Sequence, residues 1–217
     1  MRIRKKRNRD VRVEKCRKLM IDCDESEINE LIKNIKSKYG SIEMEIGCGK
    51  GQFIYKKAIE NHCVFYIGIE KQIDALIPAM ERILEAEIEN VAFMNADAEK
   101  LAEFFPEGSV KTIYLNFSDP WPKSRHDKRR LTYSSFLKVY QRILIKGGKL
   151  IFKTDNDGLF EFSIEELKKN GWDIVNLVRD LHNSEFTKEN ITTEYEDYFS
   201  SKGIKIKMLV AIPPVSD

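Results

Sequence analysis

The chain has 217 residues, 42% of them hydrophobic and 33% charged, which is typical of a folded protein with a hydrated surface. This length supports one domain whose core needs no disulfide or metal to hold it together. Four cysteines occur without a Cys-x-x-Cys pair and without a signal segment, so we expect reduced thiols, a cytoplasmic location and no metal site. The apolar runs are of strand length, so we expect no membrane span.

Charge is unevenly distributed, although the net charge is only +2. Residues 1–18 contain ten Lys or Arg against two acids, and a second basic cluster occupies residues 123–130. Such blocks favour a protein that presents a basic face to a polyanion, while the alternative for the first block is a solvated tail. We therefore expect a basic N-terminal arm over residues 1–23, followed by one domain over residues 24–217.

In the first half of the chain, apolar spacing predicts helices and strands that alternate. One helix is predicted to begin at Asp24. The helix predicted over residues 74–86 contains Pro78, which is tolerated only if it lies in the first turn. The predicted helices span residues 24–38, 52–60 and 74–86, and the predicted strands span 41–46, 64–69 and 91–94.

The second half continues the alternation and then changes character. Two apolar segments at its end have no clear helix between them, which predicts an antiparallel hairpin joined by a loop over residues 182–203. Gly147-Gly148 is expected to stop one helix, and Asn170-Gly171 another. The predicted strands are 110–115, 149–154, 172–181 and 204–212, and the helices are 133–145 and 159–169. The whole pattern predicts a Rossmann-like, doubly wound α/β fold with a mostly parallel seven-stranded sheet.

A glycine-rich loop follows the first predicted strand, with the sequence EIGCGKG at Glu45–Gly51. The spacing is GxGxG, whereas the dinucleotide fingerprint is GxGxxG, and the sixth position here is Gln52. A carboxylate at Glu45 disfavours a pyrophosphate but favours the sulfonium and ammonium of S-adenosylmethionine (SAM). We therefore predict that Glu45, Gly47 and Gly49 bind SAM.

Acids also end the second and third strands. Glu70 can accept hydrogen bonds from both ribose hydroxyls, and Asp97 can accept one from the adenine amino group. Each alone is more typical of a surface carboxylate that caps a helix. Together with Glu45 they place three acids at successive strand ends, where ligands of such sheets bind.

The fourth strand is followed by NFSDPWPK at Asn116–Lys123. Two prolines around Trp121 restrict φ and are expected to hold their neighbours in extended conformations, so that Asp119 stands fixed at the strand's end. The alternative is a structural turn with Trp121 packed in the core.

With these motifs, the sequence resembles the bacterial tRNA (guanine-N7)-methyltransferases over residues 42–212. The resemblance rests on EIGCGKGQF, GIE, NFSDPWPK, RHDKRRL, KTDN and TEYE. It implies methylation of a guanine in the variable loop of tRNA, with SAM bound by Glu45, Glu70, Asp97 and Asp119. It also implies tRNA contacts by a further group of residues: Lys123, Asp155, Thr193, Glu194, Tyr195 and Glu196.

The chemistry of N7 methylation agrees with these residue types. Guanine N7 has an in-plane lone pair, so no base is needed, and Asp119 is the catalytic candidate because it can stabilise the cation that develops on the purine. Asp155 and Glu196 are candidates for contacting the guanine edge, and Tyr195 either stacks on an extruded base or packs on the sheet. Phosphate contacts are expected from Arg125, His126, Lys128, Arg129 and Arg130.

Three other functions compete with this one. They are an NAD-dependent dehydrogenase, a SAM enzyme acting on an exocyclic amine through a (D/N)PP(Y/F)-like loop, and a non-catalytic RNA-binding module. The sequence does not distinguish a monomer from a homodimer.

Overall fold

The computed structural model describes residues 8–22 and 24–215, and the remaining residues lie outside the described part. The chain divides into two compact units, Met1–Pro106 and Glu107–Asp217. In the first unit helices and strands alternate along the chain, as predicted. They are α1 (Arg9–Lys15), α2 (Glu25–Lys38), β1 (Ser41–Ile46), α3 (Gln52–Glu60), β2 (Val64–Ile69), α4 (Ile73–Glu85), β3 (Val91–Met94) and α5 (Leu101–Phe104).

Helix α2 illustrates how the local sequence sets these elements. The Asp24 carboxylate accepts hydrogen bonds from the backbone N–H groups of Ser26 at 3.0 Å and Glu27 at 3.1 Å, which satisfies two donors of the first turn. Ile28, Ile32 and Ile35 recur at the spacing of one helix face and are buried. The predicted start and end of this helix are thus confirmed to within one residue.

Pro78 contradicts one expectation. Helix α4 begins at Ile73, so Pro78 is its sixth residue and lies beyond the first turn. A proline at this position has no N–H to donate to the carbonyl four residues earlier. Burial of Ala75, Ile77 and Met80 on the flanking positions compensates, and the helix continues to Glu85.

The described residues of the N-terminal arm pack on the first unit. Arg12 donates two hydrogen bonds of 2.6 Å to the carboxylate of Glu81 on α4, and the side chain of Cys16 is fully buried. The Ile21 backbone N–H bonds to the carbonyl of Phe93 on β3 at 2.8 Å. Residues 8–22 therefore do not form a solvated tail, whereas residues 1–7 and 23 of the predicted arm lie outside the described residues. The boundary between arm and domain stays a prediction.

The second unit contains four strands and three helices among its described residues. They are β4 (Val110–Asn116), α6 (Ser134–Ile143), β5 (Leu144–Thr154), α7 (Asp157–Lys169), β6 (Asp173–Val178), α8 (Glu194–Ser200) and β7 (Lys207–Ile212). Asn170 caps the end of α7 and Gly171 adopts φ 74°, as the predicted helix end requires.

Two predictions for this unit are wrong. Gly147-Gly148 does not stop a helix, because α6 ends at Ile143 and β5 already begins at Leu144. The glycines instead lie where the register of β4 and β5 shifts, and a Cβ on Gly148 would come within 3.0 Å of the Lys111 carbonyl oxygen. The segment 182–203 is also not free of regular structure, since it contains helix α8.

The strands of the described residues lie in the order β3-β2-β1 in the first unit and β4-β5-β7-β6 in the second, seven strands in all. Within the first unit β1, β2 and β3 are parallel, and within the second β4 and β5 are parallel while β7 is antiparallel to both β5 and β6. The predicted fold class, including the C-terminal hairpin, is confirmed. No helix of the described residues is long and apolar enough to cross a membrane.

Candidate active site

The glycine loop joins β1 to α3 through three residues with positive φ: Gly47 at 77°, Gly49 at 52° and Gly51 at 70°. The Gly47 backbone N–H donates to the Ile69 carbonyl at 2.8 Å, which fastens the loop to the end of β2. A Cβ on Gly51 would come within 2.6 Å of the Ala79 Cβ, so this glycine permits α3 to approach α4. Gly47 and Gly49 instead face open space, because a Cβ there meets no atom within 4 Å.

Glu70 meets this loop directly after β2. Its carboxylate accepts hydrogen bonds from the backbone N–H groups of Gly49 at 3.2 Å and Gln72 at 2.8 Å. The pairing of Ile46 with Ile69 places the ends of β1 and β2 side by side. The structure therefore brings together two of the residues predicted for SAM binding, Gly49 and Glu70.

Asp97 lies beyond the end of β3 and receives two kinds of hydrogen bond. Lys71 Nζ donates to it at 2.6 Å, and the Glu99 backbone N–H donates at 3.2 Å, so Asp97 caps the short helical turn that follows. Burial alone would raise the pKa of Asp97, but these hydrogen bonds outweigh burial and the pKa lies below its usual value. Asn95 donates to the backbone carbonyls of Glu70 at 2.8 Å and Lys71 at 3.0 Å, which ties the second strand end to the third.

These residues suit a small cationic ligand that carries a ribose. The open space at Gly47 and Gly49 lets a ligand approach the backbone, and Glu45 beneath the loop is an almost fully buried acid with 4% exposure. Cys48 is also buried, and burial, together with Glu45 and Glu70, raises the pKa of its thiol well above the usual value. Cys48 is therefore a neutral packing residue of the loop, and the negative charge comes from the carboxylates.

The loop after β4 has a strained backbone. Two aromatic residues adopt positive φ, Phe117 at 54° and Trp121 at 42°, which costs roughly 1–3 kcal/mol each for a side chain of this kind. The expectation that the prolines keep their neighbours extended is wrong for Trp121, although it precedes Pro122. Trp121 is half-buried and not part of the core, whereas Asp119 is exposed.

Arg130 supplies the physical reason for this backbone. It donates to the carbonyl oxygens of Pro120 at 3.1 Å and Trp121 at 3.0 Å, and it forms an ion pair of 2.8 Å with Asp127. Its guanidinium also lies 4.2 Å from the centre of the Phe162 ring, and only 11% of its side chain is exposed. Arg130 was predicted to contact phosphate, but in this structure its hydrogen bonds hold the Asp119 loop.

The other cations of the second basic cluster face solvent. The short helical segment Ser124–Arg129 follows the loop, and Arg129 lies over the Trp121 ring at 4.9 Å while His126 meets its edge at 5.6 Å. His126 is half-buried, and the exposed cations are Lys123, Arg125, Lys128 and Arg129. Their predicted phosphate contacts stay predictions.

Helix α8 contains the TEYE motif. Thr193 caps the helix, since its hydroxyl accepts a hydrogen bond from the Glu196 backbone N–H at 3.0 Å. Glu194 is exposed on the first turn. A threonine followed three residues later by glutamate is typical of a helix start, so the TEYE motif itself contains a local signal for this helix.

Tyr195 stands among aromatic and acidic groups of the second unit. Its ring lies 5.0 Å from that of Phe117 and 4.2 Å from that of Phe199, and 44% of the residue is exposed. Burial of the hydroxyl, followed by the charge of Asp155 and a hydrogen bond to it, raises the pKa of Tyr195, and the charge of Asp119 adds to this effect. The structure thus places Tyr195 close to two predicted site residues, on a helix and not on a loop.

Glu196, by contrast, is fully buried and both of its carboxylate oxygens are engaged. Lys153 Nζ donates to one oxygen at 2.7 Å, and Asn190 donates to the other at 2.6 Å, with His182 Nε2 at 3.2 Å from it. Lys153 also donates to the Asn190 side chain and to the Ile191 carbonyl. Lys153 belongs to the KTDN motif but was not among the predicted site residues.

Comparison with known proteins now identifies the family. Residues 40–209 match the family model described as "Putative methyltransferase". The chain belongs to this family. S-adenosylmethionine is the cofactor of this methyltransferase, as predicted, and the dehydrogenase alternative is wrong.

Solved methyltransferase structures share the fold. An antibiotic-related methyltransferase is 22% identical with a TM-score of 0.65, covering 90% of this chain and 96% of its own. The 16S rRNA methyltransferase KamB is 14% identical with a TM-score of 0.65, covering 89% and 96%. A SAM-dependent methyltransferase from Aquifex aeolicus is 15% identical with a TM-score of 0.57, covering 93% and 98%.

Proposed function

We propose that this methyltransferase transfers the methyl group of SAM to N7 of a guanine in the variable loop of tRNA. The observation that carries the proposal is the exposed Asp119 in a strained loop, followed directly by four exposed cations. A nucleic acid substrate needs cations for its phosphates, and a purine that gains positive charge needs a nearby carboxylate. The sequence resemblance supplies the choice of atom and of RNA.

The chain's own residues have distinct parts in this proposal. SAM supplies an electrophilic methyl group; Glu70 holds the ribose hydroxyls, Asp97 the adenine amino group, and Glu45 favours the cationic end. Asp119 stabilises the positive charge on the guanine ring and also binds SAM. Holding the two reactants in line contributes up to roughly 7–11 kcal/mol in ideal cases, so most of the catalysis is positioning.

Asp155, Thr193, Glu194 and Tyr195 surround the proposed guanine position. The charge of Asp155 acts on the Tyr195 hydroxyl and contributes to the raised pKa of that group. A carboxylate can also accept the N1–H and amino donors of guanine. The partly exposed Tyr195 ring is available for stacking on an extruded base. Lys123, Arg125, His126, Lys128 and Arg129 contact phosphates in this proposal, and Arg130 contributes through the loop.

The test is methylation of unmodified tRNA transcripts, with nucleoside mass spectrometry and strand cleavage specific for N7-methylguanine. We expect 7-methylguanosine in the variable loop, absent from a transcript in which that guanine is replaced by adenine. Because the fold relative KamB is a 16S rRNA methyltransferase, small-subunit rRNA is assayed in parallel. Methylation of the rRNA alone, or of an exocyclic amine, overturns the proposed substrate; SAM binding without transfer to either RNA favours the non-catalytic alternative.

A further inference from the structure

Lys153 occupies a junction in the second unit. Its backbone carbonyl accepts a hydrogen bond from the Phe117 N–H at 2.9 Å, in the loop that contains Asp119. Its ammonium group bonds to the Glu196 carboxylate on helix α8 at 2.7 Å. One residue at the end of β5 therefore contacts both the candidate catalytic loop and the helix that carries Tyr195.

Lys153 and Glu196 are both buried, and protein groups take the place of water around their charges. The two side chains are 3% and 0% exposed. Lys153 uses three donors, to Glu196, to Asn190 Oδ1 at 3.0 Å and to the Ile191 carbonyl at 2.9 Å. Ammonium groups have three donors, so this one is fully used. A buried pair of this kind is costly to break on one side, because the remaining charge stays buried.

This geometry conflicts with Glu196 as a direct contact of guanine. A carboxylate that contacts a base must expose an oxygen to the base, whereas Glu196 is fully buried and its two oxygens accept from Lys153 and Asn190. The neighbouring Tyr195 is placed differently, with 44% exposure and its ring against Phe117 at 5.0 Å. Within the TEYE motif, Glu196 is therefore directed inward and Tyr195 outward.

We propose that Lys153 and Glu196 form a buried positioning pair that docks helix α8 against the Asp119 loop and so fixes Tyr195 for the target base. Both Glu196 and Lys153 are then positioning residues, and Glu196 does not contact the base. This inference rests on the proposed function for the identity of the base, but the docking of α8 is a property of the protein alone.

A double-mutant cycle tests the pair. Lys153→Met and Glu196→Gln each leave one buried charge, so each is expected to lower kcat/KM for tRNA by about tenfold or more. The double variant buries neither charge and is expected to recover to within about threefold of wild type. If Glu196 contacts guanine, the double variant stays as impaired as Glu196→Gln, and the proposal is overturned.

Two further measurements separate positioning from general instability. The SAM dissociation constant is expected to change far less than kcat/KM in all three variants, by at most about threefold, because three of the four proposed SAM carboxylates, Glu45, Glu70 and Asp97, lie in the first unit and are unchanged. Hydrogen exchange over residues 190–203 is expected to accelerate in each single variant and to return in the double variant. Should Lys153→Met not fold, Lys153→Gln, which keeps a donor for Asn190, replaces it.

The control is the exposed pair Lys38–Glu89, whose side chains are 62% and 80% exposed. Lys38→Met with Glu89→Gln removes the same charges at the surface, and no change in activity or exchange is expected. If wild-type protein does not methylate tRNA, the proposed function fails while the exchange experiment still tests the docking of α8. Exchange over residues 190–203 that is equal in all variants overturns the pair itself.

Discussion

The two units position their candidate site residues by different physical means. In the first unit, Glu70 and Asp97 follow parallel strands whose register aligns the strand ends, and glycines take the positive φ values. In the second unit, Phe117 and Trp121 take positive φ themselves, and Arg130 holds the loop from outside. The first arrangement is unstrained and follows from local rules, whereas the second is strained and depends on tertiary contacts.

This difference predicts the largest effect at Asp119, which the strained loop presents. Asp119→Ala is expected to lower kcat for tRNA methylation by about 10²–10³-fold, the usual loss for one preorganised electrostatic group. Single-turnover rates with saturating SAM and tRNA measure it. Asp119→Asn separates charge from shape, since the amide keeps the volume without the charge. A rate of Asp119→Ala within threefold of wild type contradicts the catalytic role.

The same difference between the two units explains which features were predictable from the sequence. Strands β1, β2 and β3 have the predicted ends to the residue, and the acids follow from those ends, because glycine loops and strand termini are local signals. The φ of Trp121 was predicted wrongly, because the prediction considered only the neighbouring prolines. The hydrogen bond from Arg130, nine positions further along the chain, holds the backbone at Trp121. Burial of Glu196 was equally inaccessible, since Lys153 is 43 positions away along the chain.

A second prediction concerns the glycines that take the positive φ values in the cofactor loop of the first unit. Gly51→Ala combines φ 70° with a Cβ only 2.6 Å from that of Ala79, so we expect a loss of about 2–5 kcal/mol in the free energy of unfolding. Gly203→Ala has a similar φ of 75° but no atom within 4 Å, and about 1–2 kcal/mol is expected. Urea unfolding measures both. Equal losses would mean that packing against α4 contributes nothing.

The third prediction contrasts two arginines of the basic cluster. Arg125 is exposed. If roughly five phosphates are neutralised, the logarithm of the tRNA affinity falls with the logarithm of the salt concentration with a slope near −4. Arg125→Gln is expected to weaken tRNA binding and to make this slope shallower by about one. Arg130→Gln removes the donors to Pro120 and Trp121, so we expect a lower kcat with the slope retained. Filter binding from low to high salt measures the slopes. A salt-independent affinity of the wild type refutes the basic face altogether.

The smallest expected effect concerns Asp97 in the first unit and tests whether the hydrogen bond from Lys71 lowers the pKa of this acid. The pKa of Asp97 is lowered in the folded state, so its contribution to stability is present above the unfolded pKa of about 3.9 and is lost as pH falls through the folded pKa. Lys71→Met removes the 2.6 Å hydrogen bond, so we expect the pKa of Asp97 to rise and the stability at pH 7 to fall by less than about 1 kcal/mol.

Carboxyl NMR titration measures that pKa, and urea unfolding at neutral and strongly acidic pH measures the stability. The two proteins should converge at acidic pH, where Asp97 is protonated in both. The control Lys38→Met leaves Asp97 untouched, since the partner of Lys38 is Glu89. An unchanged Asp97 titration in Lys71→Met would mean that the Glu99 backbone N–H, and not the lysine, keeps this acid charged for the adenine amino group. The first unit would then hold its acids by backbone geometry alone, and the contrast with the Arg130-held loop of the second unit would be sharper.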